Sequence, residues 1–320
     1  MKRTKSEETA SWNSNRLFRF FGRDALISDL DEISIEEFII WAHTERGNAP
    51  STIGRTLRDL KAALNLFKID TSWLKTTDDR IAELLGVPKN VRQTYRPSDE
   101  DVRSFLLEAM TIPSIWRWSL IALGTGCRPQ AAIDLGPGQV QLEEGLAHLN
   151  PKGRRQNKKY RPEVYLPPFL LREVRGWAAV HEGEWGPQYV GYSSYYGLRS
   201  TFRRVAERAG IEKMTPYSFR HKVATEMRER GVDLEIREFQ LGHRRPGGSS
   251  SDSYGEISKR FLSPAPDAIQ EWMESLDIDF ELAHSLHNVP SAVSRSGRNT
   301  GAGDEIRTHD PNLGKVVLYP

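Results

Sequence analysis

Residues 215–254 constrain this chain more than any other stretch, because they set two helices and a loop in a fixed order. Thr215 predicts a helix start, since threonine caps helix N-termini. Gly231 follows a basic turn and predicts the end of that helix. A second helix, Leu234–Leu241, is predicted to end at Gly242. The loop that follows is rich in glycine and serine.

The polar side chains of this stretch can share one site. Tyr217 and Arg220 lie on one face of the first predicted helix, because residues three apart are neighbours on a helix surface. His243 follows the second helix, and Tyr254 ends the loop. Two helices and a flexible segment therefore bring together an arginine, a histidine and a tyrosine.

This order resembles the catalytic region of the tyrosine recombinase (phage integrase) family. In that family a His-x-x-Arg-His segment, a Leu-Gly-His turn and a nucleophilic tyrosine follow one another. Residues 217–221 match the first segment, with tyrosine where the family usually has histidine. Residues 241–243 match the second, and Tyr254 matches the third. Tyr254 lies 11 residues after His243, which is a slightly longer spacing than is expected for the family. The resemblance implies catalytic roles for Tyr217, Arg220, His243 and Tyr254.

A second arginine motif occurs earlier in the chain. Residues 125–128 have the sequence Thr-Gly-Cys-Arg, which resembles the family's Thr-Gly-x-Arg turn before a helix. The resemblance implies that Arg128 and Arg220 together hold a phosphate, since guanidinium groups match phosphate geometry. Ala131 stands where the family usually has an acidic residue. Support for Arg128 from that side is therefore expected to differ.

The segment 139–166 departs from helical periodicity and predicts a hairpin followed by a third strand. Its tip, residues 150–161, has six basic residues and no acidic one, which indicates an anionic ligand. The family places a catalytic lysine in this turn. The resemblance implies Lys152, which precedes a glycine, while Lys158 and Lys159 stay open as alternatives because the loop is long.

Basic side chains near these motifs are candidate contacts to DNA phosphates. A basic amphipathic helix is predicted over residues 198–209, although such faces are more often only solvated. The resemblance implies DNA contacts from Arg154, Arg155, Lys158, Lys159, Arg199, Arg203 and Arg244.

The apolar patterns predict a mainly α fold with a small antiparallel β-sheet. Four helical patterns occupy residues 11–87, where the family has its SAM-like core-binding domain, a four-helix DNA-binding module. Residues 88–97 have two prolines and three basic residues and predict a linker. A mixed α/β tyrosine recombinase catalytic domain is predicted over residues 98–280. Residues 1–10 and 281–320 are predicted to be disordered.

A helix predicted over residues 266–276 has two interpretations. In the family such a C-terminal helix docks on a neighbouring protomer, which would make its apolar face an assembly surface. The alternative is packing against its own domain. The resemblance implies a homo-tetramer on double-stranded DNA attachment sites.

Composition excludes some classes of protein. The chain has 45 basic and 43 acidic residues, so a net charge of +2 says little about partners. One cysteine excludes a disulfide framework. The sequence has no apolar leader and no stretch of transmembrane length, so we expect a soluble, cytoplasmic, nucleoid-associated protein without membrane contact.

The chemistry that the resemblance implies is site-specific DNA recombination through a 3′-phosphotyrosine, with no cofactor and no metal. A tyrosine hydroxyl has a pKa of about 10, so it needs help to attack a phosphodiester at neutral pH. Two alternatives stay open. One is a type IB topoisomerase-like enzyme, which uses the same residues. The other, suggested by Tyr217 and Ala131, is a DNA-binding accessory protein with a decayed recombinase site.

Residues 305–308, Glu-Ile-Arg-Thr, suggest a mobile element. They can be encoded by the complement of a T-arm sequence common to tRNA genes. Some integrases of archaeal mobile elements carry their attachment site within their own gene. The hypothesis is that this tail is constrained as DNA and that the protein integrates or excises such an element, including a viral genome.

Overall fold

A computed structural model describes residues 5–88, 94–157, 159–179, 187–243 and 258–287, with side chains from residue 9 onward. The chain divides into two compact units, unit 1 (Met1–Thr94) and unit 2 (Tyr95–Pro320). Each unit has its own cluster of buried apolar side chains. None of the helices within those ranges is long and apolar enough to cross a membrane.

Unit 1 is helical throughout its described elements. Phe38 and Leu57 are fully buried at its centre, and Phe20 packs edge-on against Phe38 with ring centroids 5.7 Å apart. Such burial of apolar surface is the main source of stability for a small helical unit. Its α-helices are α1 Lys5–Phe21, α2 Glu32–Thr44, α3 Pro50–Leu66 and α4 Asp78–Leu84.

Unit 2 contains the small sheet and the remaining described helices. Up to the third strand its elements are α5 Asp99–Ala109, α6 Pro113–Thr125, α7 Pro129–Asp134, β1 Val140–Gln141, β2 Leu146–His148 and β3 Glu163–Tyr165. The helices that follow are α8 Pro168–Ala179, α9 Tyr195–Arg208, α10 Pro216–Glu229, α11 Leu234–Leu241, α12 Lys259–Leu262, α13 Pro264–Ser275 and α14 Phe280–His287.

Helix α6 is the centre of unit 2. Its residues from Ile115 to Thr125 are all buried, as expected for a helix that is apolar on every side. Trp118 on α6 stacks on Phe219 of α10, with ring centroids 5.8 Å apart. The C-terminal end of α6, at Gly126, therefore lies inside the unit next to α10.

The sheet is antiparallel with strand order β1-β2-β3, which confirms the predicted fold class. Ala147 of β2 is opposite Val140 on one side and Val164 on the other. Ala147 and Val164 are buried, so this register turns the apolar face of the sheet inward. Residues 149 and 162, which begin and end the loop between β2 and β3, therefore lie at the same end of the sheet.

Helix α13 packs within unit 2, which is the second of the two interpretations of this segment. Trp272 is fully buried, and its Nε1 donates to Asp99 Oδ1 at 2.8 Å. Lys222 of α10 pairs with the same Asp99 oxygen at 2.8 Å and with Glu226 at 2.5 Å. This charged network, in which Lys222 and Glu226 are buried and Asp99 is exposed, joins α13 to α5 and α10.

Two predictions of disorder were wrong in part. Helix α1 begins at Lys5, within the segment 1–10 that was predicted to be disordered. Helix α14 runs to His287, within the predicted disordered tail. Ala283 is buried and Phe280 packs on Trp116, so a short apolar face docks a segment whose composition is otherwise polar. The prediction of disorder used the average composition of the segment, which does not detect a short apolar face.

Candidate active site

Arg220 is fixed by the ends of two helices. Its α-helix, α10, begins after the N-cap residue Thr215, as predicted. The buried Arg220 guanidinium donates from Nη1 to Gly126 O at 2.9 Å and from Nη2 to Leu241 O at 2.7 Å. These carbonyls end α6 and α11, where backbone acceptors lack helical partners and the helix dipole is negative. The cation therefore stabilises both helix ends.

Two glycines allow these segments to approach closely. Gly126 and Gly242 both have positive φ, 63° and 66°, as the C-caps of α6 and α11. A Cβ at Gly126 would lie 2.9 Å from Val223 Cγ1. A Cβ at Gly242 would lie 2.8 Å from Tyr160 O. Any larger residue would force α10, α11 and the loop after β2 apart.

Arg128 meets the same group of segments. It is the N-cap residue of α7, directly after the Gly126 turn. Its Nη1 donates to Tyr160 O at 2.7 Å, the carbonyl that lies against Gly242. Arg128 and Arg220 are distant in sequence yet interact. Burial and the positive charge of Arg128 lower the pKa of Arg220 to about 10, which leaves it charged near neutral pH.

His243 completes the group. Its Nε2 lies 2.9 Å from Arg220 Nη2. A guanidinium can only donate, so Nε2 accepts and the proton of the neutral ring is on Nδ1. Loss of hydration, together with the charges of Arg220 and Arg128, lowers the pKa of His243. The ring is therefore neutral at neutral pH, with Nδ1–H as its donor.

Tyr217 is exposed one turn before Arg220. Its ring packs edge-on against Tyr195 at the start of α9, with centroids 6.4 Å apart. The phenol interacts electrostatically with both Arg128 and Arg220. The structure thus brings Arg128, Tyr217, Arg220 and His243 together.

The predicted basic tip divides into two sets. Lys152 lies in a turn with Gly153, whose φ is 84°, and its side chain has no hydrogen bond or ion pair with any described residue. Arg155 and Lys159 are exposed as well. By contrast, Arg154 donates to Asn150 Oδ1. Three of the predicted cations of this tip are therefore available for a ligand.

Helix α9 divides in the same way. Burial raises the pKa of Tyr195, and the nearby charge of the exposed Arg199 opposes this rise. Arg199 therefore lies on the Tyr217 side of the helix. Arg203 is exposed but pairs with Glu207 at 3.5 Å. The predicted residues Lys158, Arg244 and Tyr254 lie outside the described residues.

Several residues of this region had no predicted role. Gln240 is buried and donates from Nε2 to Thr125 O at 3.0 Å, which adds a second side-chain hydrogen bond at the end of α6. Arg161 is buried and paired with Asp134 at 2.7 Å. The Tyr160 carbonyl that accepts from Arg128 has no signal in the sequence, because every residue has a backbone carbonyl.

Known proteins share this fold. It is similar to the integrase of the transposon Tn1549 in complex with transposon right end DNA, with a TM-score of 0.57 and 16% identity, covering 86% of this chain and 96% of that chain. It is also similar to a lambda integrase dimer bound to a COC′ core site, with a TM-score of 0.55 and 14% identity, covering 81% of this chain and 92% of that chain. At these identities the likeness concerns the fold alone.

The chain is also similar in sequence to tyrosine recombinases. The chain is 27% identical over 250 residues to the tyrosine recombinase XerC of Lactobacillus leichmannii, covering 73% of this chain and 81% of that protein. It is 26% identical over 197 residues to the tyrosine recombinase XerA of Pyrococcus furiosus, covering 58% of this chain and 65% of that protein.

Residues 99–248 match the phage integrase family, and this range holds Arg128, Lys152, Tyr217, Arg220 and His243. The helical fold with its small sheet is that of integrase and recombinase catalytic domains. The match to this family and the named relatives support a tyrosine-type site-specific recombinase.

Proposed function

We propose that this protein cuts and rejoins DNA at specific sites through a 3′-phosphotyrosine formed on Tyr254. The observation that carries the proposal is the pair Arg128 and Arg220, which are held by backbone carbonyls and still have donors to spare. A guanidinium has five N–H donors. Arg220 uses three of them and Arg128 one among the described residues, so both can also bind phosphate oxygens.

The proposed step is a transesterification at phosphorus. The Tyr254 oxygen attacks the scissile phosphate, the new O–P bond forms, and the bond from phosphorus to the 5′-oxygen breaks. The phenol gives its proton to solvent water, and the departing 5′-oxygen gains one from the Lys152 ammonium. Bond energy is kept in the phosphotyrosine, so the 5′-hydroxyl of a second strand can reverse the step without ATP.

The two arginines stabilise the charge that develops on the non-bridging oxygens. Fixed donors are effective there because they need no reorganisation when the reaction occurs, and removal of one such donor typically costs about 100- to 1,000-fold in rate. The carbonyls of Gly126 and Leu241 provide that rigidity for Arg220.

His243 is proposed to donate a hydrogen bond to the phosphate from Nδ1–H. Its Nε2 is occupied by Arg220, so it is poorly placed to take the proton of the tyrosine. Tyr217 stands where the family usually has histidine and is proposed to donate a hydrogen bond to the phosphate as well. A phenol is a weak proton carrier near pH 7, so acid-base work is not assigned to it.

Other parts of the proposal extend to the whole protein. Unit 1 is proposed to be the core-binding domain, and four protomers are proposed to assemble on double-stranded attachment sites in the nucleoid. The named relatives and the DNA-bound integrase structures support a DNA partner. Integration or excision of a mobile element is proposed from residues 305–308, which lie outside the described residues.

The experiment is covalent trapping on a nicked suicide substrate. The DNA is taken from the recombined junction of the element that carries the gene, after the junction has been mapped and compared with the codons of residues 301–320. A nick near the cleavage site lets the short product diffuse away, so the phosphotyrosine accumulates. The native protein is expected to give a covalent adduct, whereas Tyr254→Phe binds the site but gives none.

The matched control is Tyr196→Phe, which removes the hydroxyl of another exposed tyrosine and is expected to retain the adduct. A native protein that binds the junction without any adduct would favour the accessory-protein interpretation. Adduct formation by a monomer that relaxes supercoiled DNA without exchanging strands would favour a topoisomerase.

A further inference from the structure

An ion pair joins the helix that begins at Arg128 to the loop that contains Lys152. Arg161, with a side chain only 9% exposed, donates from Nη1 to Asp134 Oδ2 at 2.7 Å. Asp134 is the last residue of α7, and its other oxygen accepts from Gln130 at 2.8 Å. Although Arg161 belongs to the basic tip, its charge is turned into the protein and is not available to DNA.

The same ion pair closes the base of the loop. Gln156 donates to Arg161 O at 2.8 Å and accepts from Arg161 N at 3.2 Å. Arg161 Nη1 also lies 3.5 Å from Leu149 O, on the opposite arm of the loop. Asn150 donates to Arg154 O at 2.8 Å. These bonds hold both arms of the loop together around Lys152.

Helix α7 is therefore linked to the loop at both of its ends. At the first end Arg128 donates to Tyr160 O, and at the last end Asp134 pairs with the next residue, Arg161. Two adjacent links fix the position of the loop relative to the Arg128 guanidinium. A shift of about 1 Å in a reacting group can cost on the order of 100-fold in rate, so such a fixed relation is chemically important.

We infer that Asp134 and Arg161 are positioning residues that hold the Lys152 loop against the helix of Arg128, so that the lysine ammonium reaches the departing 5′-oxygen. This inference depends on the proposed function. Ala131 stands where the family usually has an acidic residue. Here the carboxylate of α7 comes from Asp134 instead, one turn further along.

The test separates proton donation from charge stabilisation by changing the leaving group. In one suicide substrate the scissile 5′-oxygen is natural, and in the other it is replaced by sulfur. A thiolate leaves without a proton, since a thiol has a pKa of about 8.5 and an alcohol has a far higher one. A variant that misplaces the proton donor should therefore be slow on oxygen and close to normal on sulfur.

Asp134→Asn keeps the size of the side chain and a hydrogen-bond acceptor for Arg161. It is expected to cleave the oxygen substrate about 10- to 100-fold more slowly, to cleave the sulfur substrate within about threefold of the native rate, and to bind the site with unchanged affinity. Arg161→Lys is the second variant, because a lysine can pair with Asp134 but cannot reach Leu149 O as well. It is expected to show the same selective loss to a smaller degree.

Two further variants make the result specific. Lys152→Ala is expected to show the same selectivity with a larger loss on oxygen. Glu108→Gln breaks another arginine–carboxylate pair of unit 2, with Arg208 at 3.2 Å, and is expected to cleave both substrates normally. Melting temperatures of all variants show whether the fold is retained.

Three outcomes would overturn the inference. The first is an equal loss on both substrates by Asp134→Asn and Arg161→Lys, which would assign the pair to the fold or to the arginines. The second is no loss by either variant, and the third is no selective loss in Lys152→Ala. A native protein that yields no adduct on either substrate contradicts the proposed function itself, so the two failures are distinguishable.

Discussion

Among single residues, Arg220 combines a structural and a chemical task. Its guanidinium donates hydrogen bonds to carbonyls at two helix ends, and these hydrogen bonds fix its position. Burial of this cation is tolerable because three of its donors have partners, since a buried charge without partners is strongly destabilising. The remaining donors are aligned before DNA arrives. Preorganisation of this kind makes electrostatic stabilisation efficient.

Arg220→Lys tests whether the shape of the guanidinium matters beyond its charge. One ammonium cannot reach Gly126 O, Leu241 O and His243 together, and it lacks the planar fork that matches phosphate. We expect adduct formation to fall by about 100-fold or more, with a loss of site affinity below about tenfold. Single-turnover trapping and gel-shift titration measure the two quantities.

The matched control is Arg208→Lys, at an arginine that pairs with Glu108. It is expected to leave the rate of adduct formation unchanged. If Arg220→Lys retained the native rate, charge alone would suffice at this position.

The lowered pKa values of three histidines predict how stability changes with pH. Burial is the largest cause for His221, His243 and His287. The unfolded chain titrates near about 6.5, so below that pH it binds more protons than the folded protein does. The free energy of unfolding is therefore not reduced by these histidines above about pH 6.5, and it decreases as the pH falls toward their lowered pKa values in the folded protein.

Urea unfolding between pH 8 and pH 5 checks this sign. His287→Gln keeps a donor near Met110 O, which His287 contacts at 2.8 Å, and should flatten the fall in the free energy of unfolding. The range above pH 7.5, where histidine does not titrate, is the internal reference. A stability that rises on acidification would contradict the prediction.

Among elements, local sequence predicted some helix limits well and others poorly. Helix α11 has the predicted bounds, Leu234–Leu241, and it ends at Gly242 because this glycine adopts the left-handed conformation of a C-cap. Ser34 with Glu37 has the spacing of a capping box, which predicts that helix α2 starts at Ser34. The box is formed by Asp31 with Ser34 instead, and Ser34 N donates to Asp31 Oδ1 at 2.8 Å. Asp31 and Ser34 can both cap a helix, and the structure uses Asp31.

Gly242→Ala tests the close approach of α11 to the loop after β2. The residue has φ 66°, and the new Cβ would lie 2.7 Å from Pro162 Cδ. Strain in the left-handed region costs about 1–2 kcal/mol and overpacking about 1–3 kcal/mol more. We expect a loss of about 2–5 kcal/mol in the free energy of unfolding by urea, together with slower adduct formation.

Gly210→Ala is the control for Gly242→Ala. Gly210 has φ 76°, but a Cβ there would meet nothing within 4 Å. It should lose only the backbone term of about 1–2 kcal/mol and keep normal cleavage. Equal losses in the two variants would mean that the contact with the loop has no energetic cost.

For the whole molecule, the small net charge of +2 hides an uneven distribution. Lys152, Arg155, Lys159 and Arg199 are exposed without ion pairs in the described part of unit 2. Each phosphate that a cation neutralises steepens the dependence of log K on log salt by about 0.9. A protein that is nearly neutral overall can therefore still bind DNA with a steep salt dependence.

Arg199→Ala and Arg203→Ala test that distribution on one helix. We expect Arg199→Ala to make the salt slope of DNA binding shallower by about one. Arg203→Ala should change it by less than half as much, because the Glu207 carboxylate beside it offsets its charge. Gel-shift titrations between about 50 and 200 mM salt measure both slopes. Equal changes would show that the ion pair on α9 opens for DNA.

The sequence by itself determined the order of the motifs, the helical character of both units, the small sheet and the identity of the residues in the arginine–histidine cluster. The helices and strands follow from residue spacing and from caps and turns, which act over a few neighbours along the chain. The identity of the clustered residues came from the resemblance of their motifs to the tyrosine recombinase family. Local rules placed Arg220 near the start of α10 and His243 directly after the end of α11.

Only the tertiary structure decided the partners. It turned Arg161 inward to Asp134, gave Arg128 the carbonyl of Tyr160, and set the proton of His243 on Nδ1 through Arg220. A long side chain can reach many acceptors, and the one it meets is a backbone or carboxylate group that the fold brings from a distant part of the chain. That choice depends on packing, which no local pattern records.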